Sequence, residues 1–510
     1  MTLLHVCGRY LPLSETFTYD LITGLHGCTH HVVAASLKNF HHFPLTSVVV
    51  PHPEEEVWRL AADVNANAVV CHFGPQAMLG MTTALAIDRP AVTIFHGYDV
   101  SRLMRDRIWV ERYRAVARLG MHALCTSHAV RRQLIEIGWP TSQIDVIHLG
   151  VDTDRLAFVP PSQRWTARPR RILMISGLVE MNGVDVALDA MRRLRDRGCD
   201  VELRIVGDGP ERTRIESLMR EWRLTNVSLL GALEHTLTKY ELSEAHLYIQ
   251  PSITAASGDQ EGIPVPLMEA MASGIPVVAS HHSGIPELVI DGQTGHLIRE
   301  RDAEGLTVAI ERLIRDRSGA DRLAHAARAR VEQDFDHRRQ SARFEALFRA
   351  VAEDDRRRPS VSQSRYSTGS RRGLVIQSVP HGLMARKLLL LGERYPDVQW
   401  EALTAESSEM QARQIPLIGL VWTRSDGRLS LSRIGRTLLT ELRDRNYDLV
   451  VVPYADDIGA GCAYLRRAAA AIGGRRLIAL TLGDRELPLP ANTFRWQLQT
   501  ARTRRLSSTR

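Results

Sequence analysis

Apolar residues along this chain gather in short runs separated by helical stretches. Leu3–Cys7, His31–Ala35, Ser47–Val50, Ala68–His72, Ala91–His96, Ala123–Thr126 and Asp145–His148 read as strands, with helices such as Ser14–Leu25 and Ser127–Ile137 between them. Strands alternating with helices predict a parallel sheet covered on both faces. A polar, Pro-containing stretch from Thr153 to Pro169 interrupts the pattern, which then restarts. Arg171–Ser176, Val201–Val206, Val227–Leu230, Leu247–Gln250, Pro276–Ala279 and His296–Ile298 are the next strands, with helices over Val184–Arg197 and Glu211–Trp222. Two such units in succession predict two doubly wound, Rossmann-like lobes with a cleft between them, and ligands of such sheets bind at the carboxyl ends of the strands.

A long helical stretch, Arg322–Val351, closes the second unit. The segment after it, EDDRRRPSVSQSRYSTGSRR from Glu353 to Arg372, is charged, then Ser-rich and almost without apolar residues, as a linker is. A third α/β unit follows, with strands over Leu374–Ser378, Leu449–Pro453 and Leu477–Leu482 and helices within Pro380–Arg394 and over Cys462–Ile472. The expected fold is therefore α/β, two doubly wound lobes plus a third, smaller α/β domain. Its expected divisions are lobes over 1–165 and 166–352, a linker over 353–372, the extra domain over 373–500 and a basic tail over 501–510.

A chain of 510 residues has the length of two or three domains, and its 24% charged residues are ordinary for a globular protein. Its longest apolar runs, such as Leu388–Leu391, are far short of the ~20 residues that span a bilayer. The start, MTLLHVCGRY, has neither a basic leader nor a small-residue cleavage site, so no signal peptide is expected. Cys7, Cys28, Cys71, Cys125, Cys199 and Cys462 are widely spaced, which argues against a zinc site or a disulfide framework and for a reduced, cytoplasmic compartment. The net charge is +7, almost all of it arginine, since lysine stands only at Lys38, Lys239 and Lys387. That balance suits phosphate-bearing ligands, an anionic membrane or nucleic acid, and equally a coding bias toward arginine. No helix-turn-helix, zinc-finger or aromatic-sheet signature supports nucleic acid, so none is expected as a partner.

The most informative stretch is Pro251–Val289, PSITAASGDQEGIPVPLMEAMASGIPVVASHHSGIPELV. A Ser/Gly/Asp loop leads into Glu261-Gly262-Ile263-Pro264, and a helix starting near Val265 carries Glu269. The Gly and Pro residues allow a tight turn with free N–H groups at a helix N-terminus, which suits anions or sugar hydroxyls. Glu261 and Glu269 are placed to hold hydroxyls at the two ends of one elongated ligand. On spacing alone the pair carries nothing; its context, Glu-Gly-x-Pro, Glu-Ala-Met-Ala-x-Gly-x-Pro-Val-Val and Gly-Ile-Pro-Glu in that order, does.

This stretch resembles the signature of the family 4 retaining glycosyltransferases, which have the GT-B fold, and the resemblance covers about residues 1–350. Leu13–Phe17, Cys71–Gly74, Phe95–Asp99 and Gly258–Pro264 are similar to the bacterial exopolysaccharide enzymes of the colanic-acid type. The resemblance implies a first lobe on the acceptor side and a second that holds a nucleoside-diphosphate-sugar. Glu269 then matches the carboxylate on the ribose, Glu261 the one facing the donor sugar, and His96 the histidine beside the reacting sugar. The backbone of Gly262, Ile263 and Pro264 matches the sugar-contacting turn. Gly207-Asp208-Gly209-Pro210 matches a donor-side loop, although an ordinary strand-to-helix turn reads the same way. Ser14 matches a loop near diphosphate and acceptor, or is a plain N-cap.

The family's diphosphate clamp, an Arg and a Lys, falls on Gly177 and Asn182. The family resembles metal-independent catalysts, so no metal or other cofactor is expected and protein cations must stabilise the leaving group. Charge-assisted hydrogen bonds contribute about 1.5–3 kcal/mol each, so losing two costs about 3–6 kcal/mol, or about 10²–10⁴ in rate. Arg9, Arg102 and Arg105 are the candidate replacements. Two readings stand: an active transferase of surface-polysaccharide assembly, and a nucleotide-sugar-binding protein on the same fold that has lost turnover. Ser101–Arg118 mixes arginines with Leu103, Met104, Ile108, Trp109 and Tyr113. It reads as a basic amphipathic helix resting on the inner face of the membrane near a lipid-linked saccharide acceptor, or as a surface helix packed on its sheet.

Overall fold

The computed structural model describes residues 1–357 apart from 9, 11–15, 37–44, 46, 51–56 and 167–168. It describes residues 371–488 apart from 379–383, 385–386, 389–390, 392–393, 396, 406–408, 410–411, 413–417, 425–433, 435, 454–462 and 481–485. The first sheet contains β1 (Thr2–Cys7), β2 (Thr29–Ala34), β3 (Val48–Val49), β4 (Ala68–His72), β5 (Ala91–Phe95), β6 (His122–Cys125) and β7 (Ile144–Val146), in the order β3-β2-β1-β4-β5-β6-β7. The second contains β8 (Arg170–Ile175), β9 (Val201–Val206), β10 (Val227–Gly231), β11 (Leu247–Gln250), β12 (Val277–Ser280) and β13 (His296–Ile298), in the order β10-β9-β8-β11-β12-β13. The third contains β14 (Arg371–Ile376), β15 (Val398–Ala405), β16 (Ile418–Arg424), β17 (Leu449–Pro453), β18 (Arg476–Leu480) and β19 (Glu486–Pro488), in the order β16-β15-β14-β17-β18-β19. Every neighbouring pair is parallel except β18 and β19. Each sheet reverses its strand order once, at β1/β4, β8/β11 and β14/β17, which is the doubly wound plan with its crevice at the carboxyl ends.

The central strands are buried end to end, as parallel strands between two helical layers are: β4, β5, β11, β12 and β17 have no exposed residue. One apolar cluster runs through both lobes, joining Leu3, Leu21 and Leu25 of the first to Tyr248, Leu267 and Met268 of the second. Phe344 and Phe348 belong to the same cluster. They lie on the helix His337–Arg357, which returns from the second lobe and packs against the helix Thr16–Gly24 of the first.

The long helical stretch is in fact two helices, Arg317–Asp334 and His337–Arg357. The break has a clear cause. Val151 donates its N–H to Phe335 O (2.9 Å) and accepts the N–H of His337 (2.9 Å), so the chain is held extended at Asp336. The Asp336 carboxylate then caps the N–H groups of Arg338 (3.1 Å) and Arg339 (3.2 Å) and takes the Thr153 hydroxyl (2.7 Å).

That second helix runs to Arg357 and β14 starts at Arg371, so the stretch read as linker is helical where it begins and strand where it ends. Residues 358–370 and the tail 501–510 lie outside the described residues. Strands β15, β16 and β19 were not expected from the sequence. β15 carries Glu401, which breaks its apolar run yet is buried, because its carboxylate accepts from Tyr447 Oη (2.7 Å) and Trp422 Nε1 (2.7 Å). The third unit does not stand apart from the first lobe: Met384, Leu388, Trp400 and Val451 share one apolar cluster with Phe95, Tyr113 and Trp139.

Phe348 is fully buried where the returning helix meets the first lobe. Phe348→Ala should lower unfolding free energy by about 3–5 kcal/mol, read as a shift of the urea midpoint.

Candidate active site

Two loops from opposite lobes meet in the cleft. The first follows β5. Asp99, fully buried, accepts the N–H groups of His96 (3.1 Å), Gly97 (2.9 Å) and Gly74 (3.0 Å), so one carboxylate pins the loops after β4 and β5 together. Burial pushes its pKa up to about 6, although these three bonds pull it down. Nothing in the local sequence assigns Asp99 a role beyond its place in the Phe95–Asp99 run, yet an Asp within reach of the N–H groups of a Gly turn at a strand end is the signal of such a tie.

His96 follows β5 directly and its ring is caged by aromatic rings. Phe73 lies 4.3 Å away between centroids and Phe17 5.0 Å. Tyr98 stands 5.5 Å from Phe73 and is partly exposed. Phe73 sits at φ 70° and ψ 150°, a region nearly reserved for glycine that costs about 1–3 kcal/mol. The distortion holds its ring over His96. Neither nitrogen of the His96 ring has a partner among the described residues. Burial, with a smaller push from His72, drives its pKa down to about 3, so His96 is a neutral imidazole offering a donor and an acceptor.

The second loop leads from β11 to the helix Val265–Ala272. The Glu261 carboxylate accepts from Ser252 Oγ (2.5 Å) and Gln250 Nε2 (3.0 Å), and Gln250 Oε1 in turn accepts from Tyr248 Oη (2.9 Å). The Glu261 N–H donates to His282 Nε2 (3.2 Å), which leaves the His282 Nδ1 hydrogen for Glu300 (2.6 Å). Glu300 also accepts the N–H of Thr254 (2.8 Å), so the loop is tied at both ends to the second sheet. Burial pushes Glu261 up to about 7 against the pull of Ser252 and Gln250. Glu269, one face further along the helix, is also pushed up to about 7 by burial, with Lys239 and Asp20 as the charges it feels most.

These loops touch backbone to backbone. A side chain on Gly262 would lie 2.3 Å from His96 O, and one on Gly97 would lie 3.0 Å from Gln260 O. Gly262 permits that approach, and a side chain at Gly97 would force its neighbour to shift. Around it Gln260 donates its N–H to Ser101 Oγ (3.1 Å) and accepts from Gln133 Nε2 (2.8 Å), both from the first lobe. His96, Glu261, Gly262, Ile263 and Pro264 are thus brought together. A further tie was missed in the sequence. Glu287, of the quoted Gly-Ile-Pro-Glu, accepts the N–H groups of His128 (2.9 Å) and Ala129 (3.0 Å), capping the helix His128–Glu136 of the other lobe. It also meets His148 Nε2 at 2.9 Å. Burial opposes its charge, but these bonds hold it below the usual carboxylate range.

The remaining residues serve the frame. Gly207, at φ 138°, has Ser176 O within 1.9 Å of where a Cβ would stand, so packing between the β8 and β9 loops requires it. Asn182 is buried and donates from Nδ2 to Gly177 O (2.7 Å), closing the loop where a cation was expected. Arg105 reaches across the cleft to Ala256 O (2.9 Å). Arg102 lies where its charge acts on Asp259. Arg9 and Ser14 lie outside the described residues. The helix Arg107–Arg118 buries Tyr113, Ala115, Val116 and Ala117 in its own lobe, so its apolar side is already occupied; Ile108 is its exposed apolar residue. Among the described residues no group of three His, Cys, Asp or Glu is placed to hold a metal ion, and no helix is long and apolar enough to cross a membrane.

Known proteins are similar to this chain in sequence and fold. The family described as glycosyl transferases group 1 matches residues 159–330, and that described as glycosyltransferase family 4 matches residues 14–155. The putative colanic acid biosynthesis glycosyltransferase WcaL of Escherichia coli is 35% identical over 302 residues, 58% of this chain and 73% of its own. The chain is a glycosyltransferase of this family. The amylovoran biosynthesis glycosyltransferase AmsK of Erwinia amylovora is 35% identical over 276 residues, 53% of this chain and 67% of its own. Among solved structures, Anabaena HepE in complex with UDP superposes with a TM-score of 0.58 at 20% identity, over 69% of this chain and all of its own. The transferase thus has the GT-B fold, and the similarity to HepE leaves about a third of its length uncovered.

The raised pKa of Glu261 has a sign that can be tested. Between its ordinary value of 4.5 and about 7 the folded protein holds a proton that the unfolded chain has lost. The penalty for the charge therefore grows as pH rises through that window and is full above it. Glu261→Gln should raise stability by about 1–3 kcal/mol at about pH 8 and leave it nearly unchanged at about pH 4, read by thermal melts across pH.

Proposed function

We propose that this transferase moves a sugar from a nucleoside-diphosphate donor onto an acceptor hydroxyl in surface-polysaccharide assembly, with retention at the anomeric carbon. The observation that carries this reading is the backbone contact of Gly97 with the Gln260–Gly262 turn, which sets a neutral imidazole against a hydrogen-bonded carboxylate across the cleft. In this reading Glu269 holds the ribose hydroxyls, Glu261 orients the donor sugar, and the backbone of Gly262, Ile263 and Pro264 meets sugar hydroxyls. His96 accepts a hydroxyl of the reacting sugar without competing for its proton. Colanic acid and amylovoran in the names of the relatives support a polysaccharide product, and UDP in the HepE complex supports a nucleotide donor.

The acceptor reads as a saccharide because Phe73 and Tyr98 offer apolar ring faces beside His96, the surface on which the C–H faces of sugars rest. A lipid-linked form at the inner membrane face, reached through the exposed arginines of Ser101–Arg118, completes the reading. No metal or other cofactor takes part in it.

The second reading, a binding protein without turnover, is favoured by one observation: Asn182 spends its amide on Gly177 O, where the family places cations. The two are separated by titrating the purified protein with UDP-, GDP- and ADP-sugars, with and without Mg²⁺, and following nucleoside-diphosphate release with a membrane lipid extract. Release that depends on the extract supports transfer. Tight binding without release supports the second reading, provided Gly177→Arg plus Asn182→Lys gains turnover in the same assay. Gly177 has room for that change, since nothing lies nearer than 3.7 Å to its would-be Cβ.

Glu269→Ala should weaken nucleotide-sugar binding by about tenfold or more by calorimetry, the loss of one buried carboxylate–hydroxyl contact. Unchanged affinity would remove the nucleotide from this helix.

A further inference from the structure

Three histidines on adjacent strands of the first sheet are joined nitrogen to nitrogen. His5 is in β1, His30 in β2 and His72 ends β4, with β1 between the other two. His5 Nδ1 lies 3.0 Å from His72 Nε2, and His5 Nε2 lies 3.0 Å from His30 Nδ1. His30 Nε2 ends the chain on Leu25 O at 3.1 Å. His5 and His72 are buried, and His30 is partly exposed.

The direction of these bonds follows from one fixed end. A carbonyl oxygen only accepts, so the hydrogen between His30 and Leu25 is on His30 Nε2. Burial disfavours the charged form of all three rings, so each carries a single hydrogen. His30 Nδ1 is then bare and accepts from His5 Nε2–H; His5 Nδ1 is bare and accepts from His72 Nε2–H. The nitrogen left over is His72 Nδ1, a buried lone pair without a partner among the described residues. His72 immediately precedes Phe73, whose ring rests on His96, and its charge is felt at His96. The lone pair thus belongs to the neighbourhood of the other buried histidine ring nitrogens without a partner among the described residues, those of His96.

We propose that His72, His5 and His30 form a proton relay from the cleft beside His96 to the outer part of the first lobe. A proton arriving at His72 Nδ1 sends the hydrogen of His72 Nε2 to His5 Nδ1, and that of His5 Nε2 to His30 Nδ1. Three N–H bonds form; two N–H bonds and the bond of the incoming proton break. The charge ends on His30, the partly exposed member, where Glu345 favours it and His31 and the chain's amino terminus oppose it. His31 also opposes charge on His5. The neutral chain makes His72 Nδ1 an acceptor, and the chain with one extra proton makes it a donor. The use of the relay rests on the transferase reading: transfer to a hydroxyl frees one proton, and this is its way out. His5, His30 and His72 are positioning residues for that proton and touch no sugar.

The test is the tautomer of each ring in the full chain labelled with [¹⁵N]histidine, read from long-range ¹⁵N–¹H spectra at about pH 8 and assigned by single variants. The expected result is hydrogen on Nε2 and a bare Nδ1 for all three. Hydrogen on His72 Nδ1 at that pH overturns the proposal, whether or not the protein turns over, so failure of the transferase reading is seen separately. In His30→Phe the anchor to Leu25 is gone, so His5 and His72 should become tautomer mixtures. The acid limb of nucleoside-diphosphate release should then move by about half a pH unit or more at unchanged donor KM. A folded His30→Phe protein with an unmoved pH profile overturns the link to the cleft. Should His30→Phe not fold, His30→Asn is read in the same way.

Discussion

The site depends on one close approach, that of Gly97 to the Gln260–Gly262 turn. It brings backbone of the two lobes together inside the cleft, with no room for a side chain at Gly262 and little at Gly97. Everything around it serves to make the approach repeatable. Asp99 fixes the first loop from below with three N–H bonds. Glu300, through His282 and Thr254, fixes the second. Glu287 and the returning helix with Phe344 and Phe348 hold the lobes at the distance where the loops touch. A contact made of backbone is stiff, and stiffness is what lets the groups on either side be placed relative to each other.

A second constraint follows from the first. Closing the loops removes water from His96, Glu261 and Asp99, and the same burial acts on them with opposite sign. It lowers the histidine to about 3 and raises the two carboxyls to about 7 and about 6. The cleft therefore disfavours charge of either sign near neutrality until a ligand supplies a partner. A pocket held near neutrality, with unpartnered ring nitrogens, suits uncharged hydroxyls better than an ion.

Much of this was legible in the chain. Short, continuous apolar runs are what a parallel sheet requires, and the strands of both lobes lie within a residue or two of where the runs predict them. The Glu261 and Glu269 region was legible because glycine and proline constrain backbone wherever they occur. What escaped reading was what tertiary contacts decide. β15 hid behind Glu401, whose burial depends on Tyr447 and Trp422 far along the chain. The helix break at Asp336 exists because Val151 pairs there. Asp99 and Glu287 were in view, yet each acts on N–H groups of a different element, and no local spacing announces that.

The altered clamp shows how far local changes reach. With a carboxamide at position 182, the loop after β8 is closed by its own hydrogen bond to Gly177 O. On that side stands the N-terminus of the helix Val184–Asp196, which begins after Gly183 without a side-chain cap. A helix terminus supplies about half a unit charge, against the two full charges of an Arg and a Lys. On the transferase reading, a departing diphosphate would draw further positive charge from the first lobe. Arg105 is already there: its guanidinium spans the cleft to Ala256 O and lies against Gly258, a glycine whose would-be Cβ is 2.0 Å from it. Its hydrogen bond is spent within the protein, but its charge is not, and a charge at the mouth of a dry cleft acts over a longer range than one in water. On the proposed transferase reading, Arg105 would be the cation facing the leaving group, and its use would depend on the same approach of the two loops that the glycine contact makes.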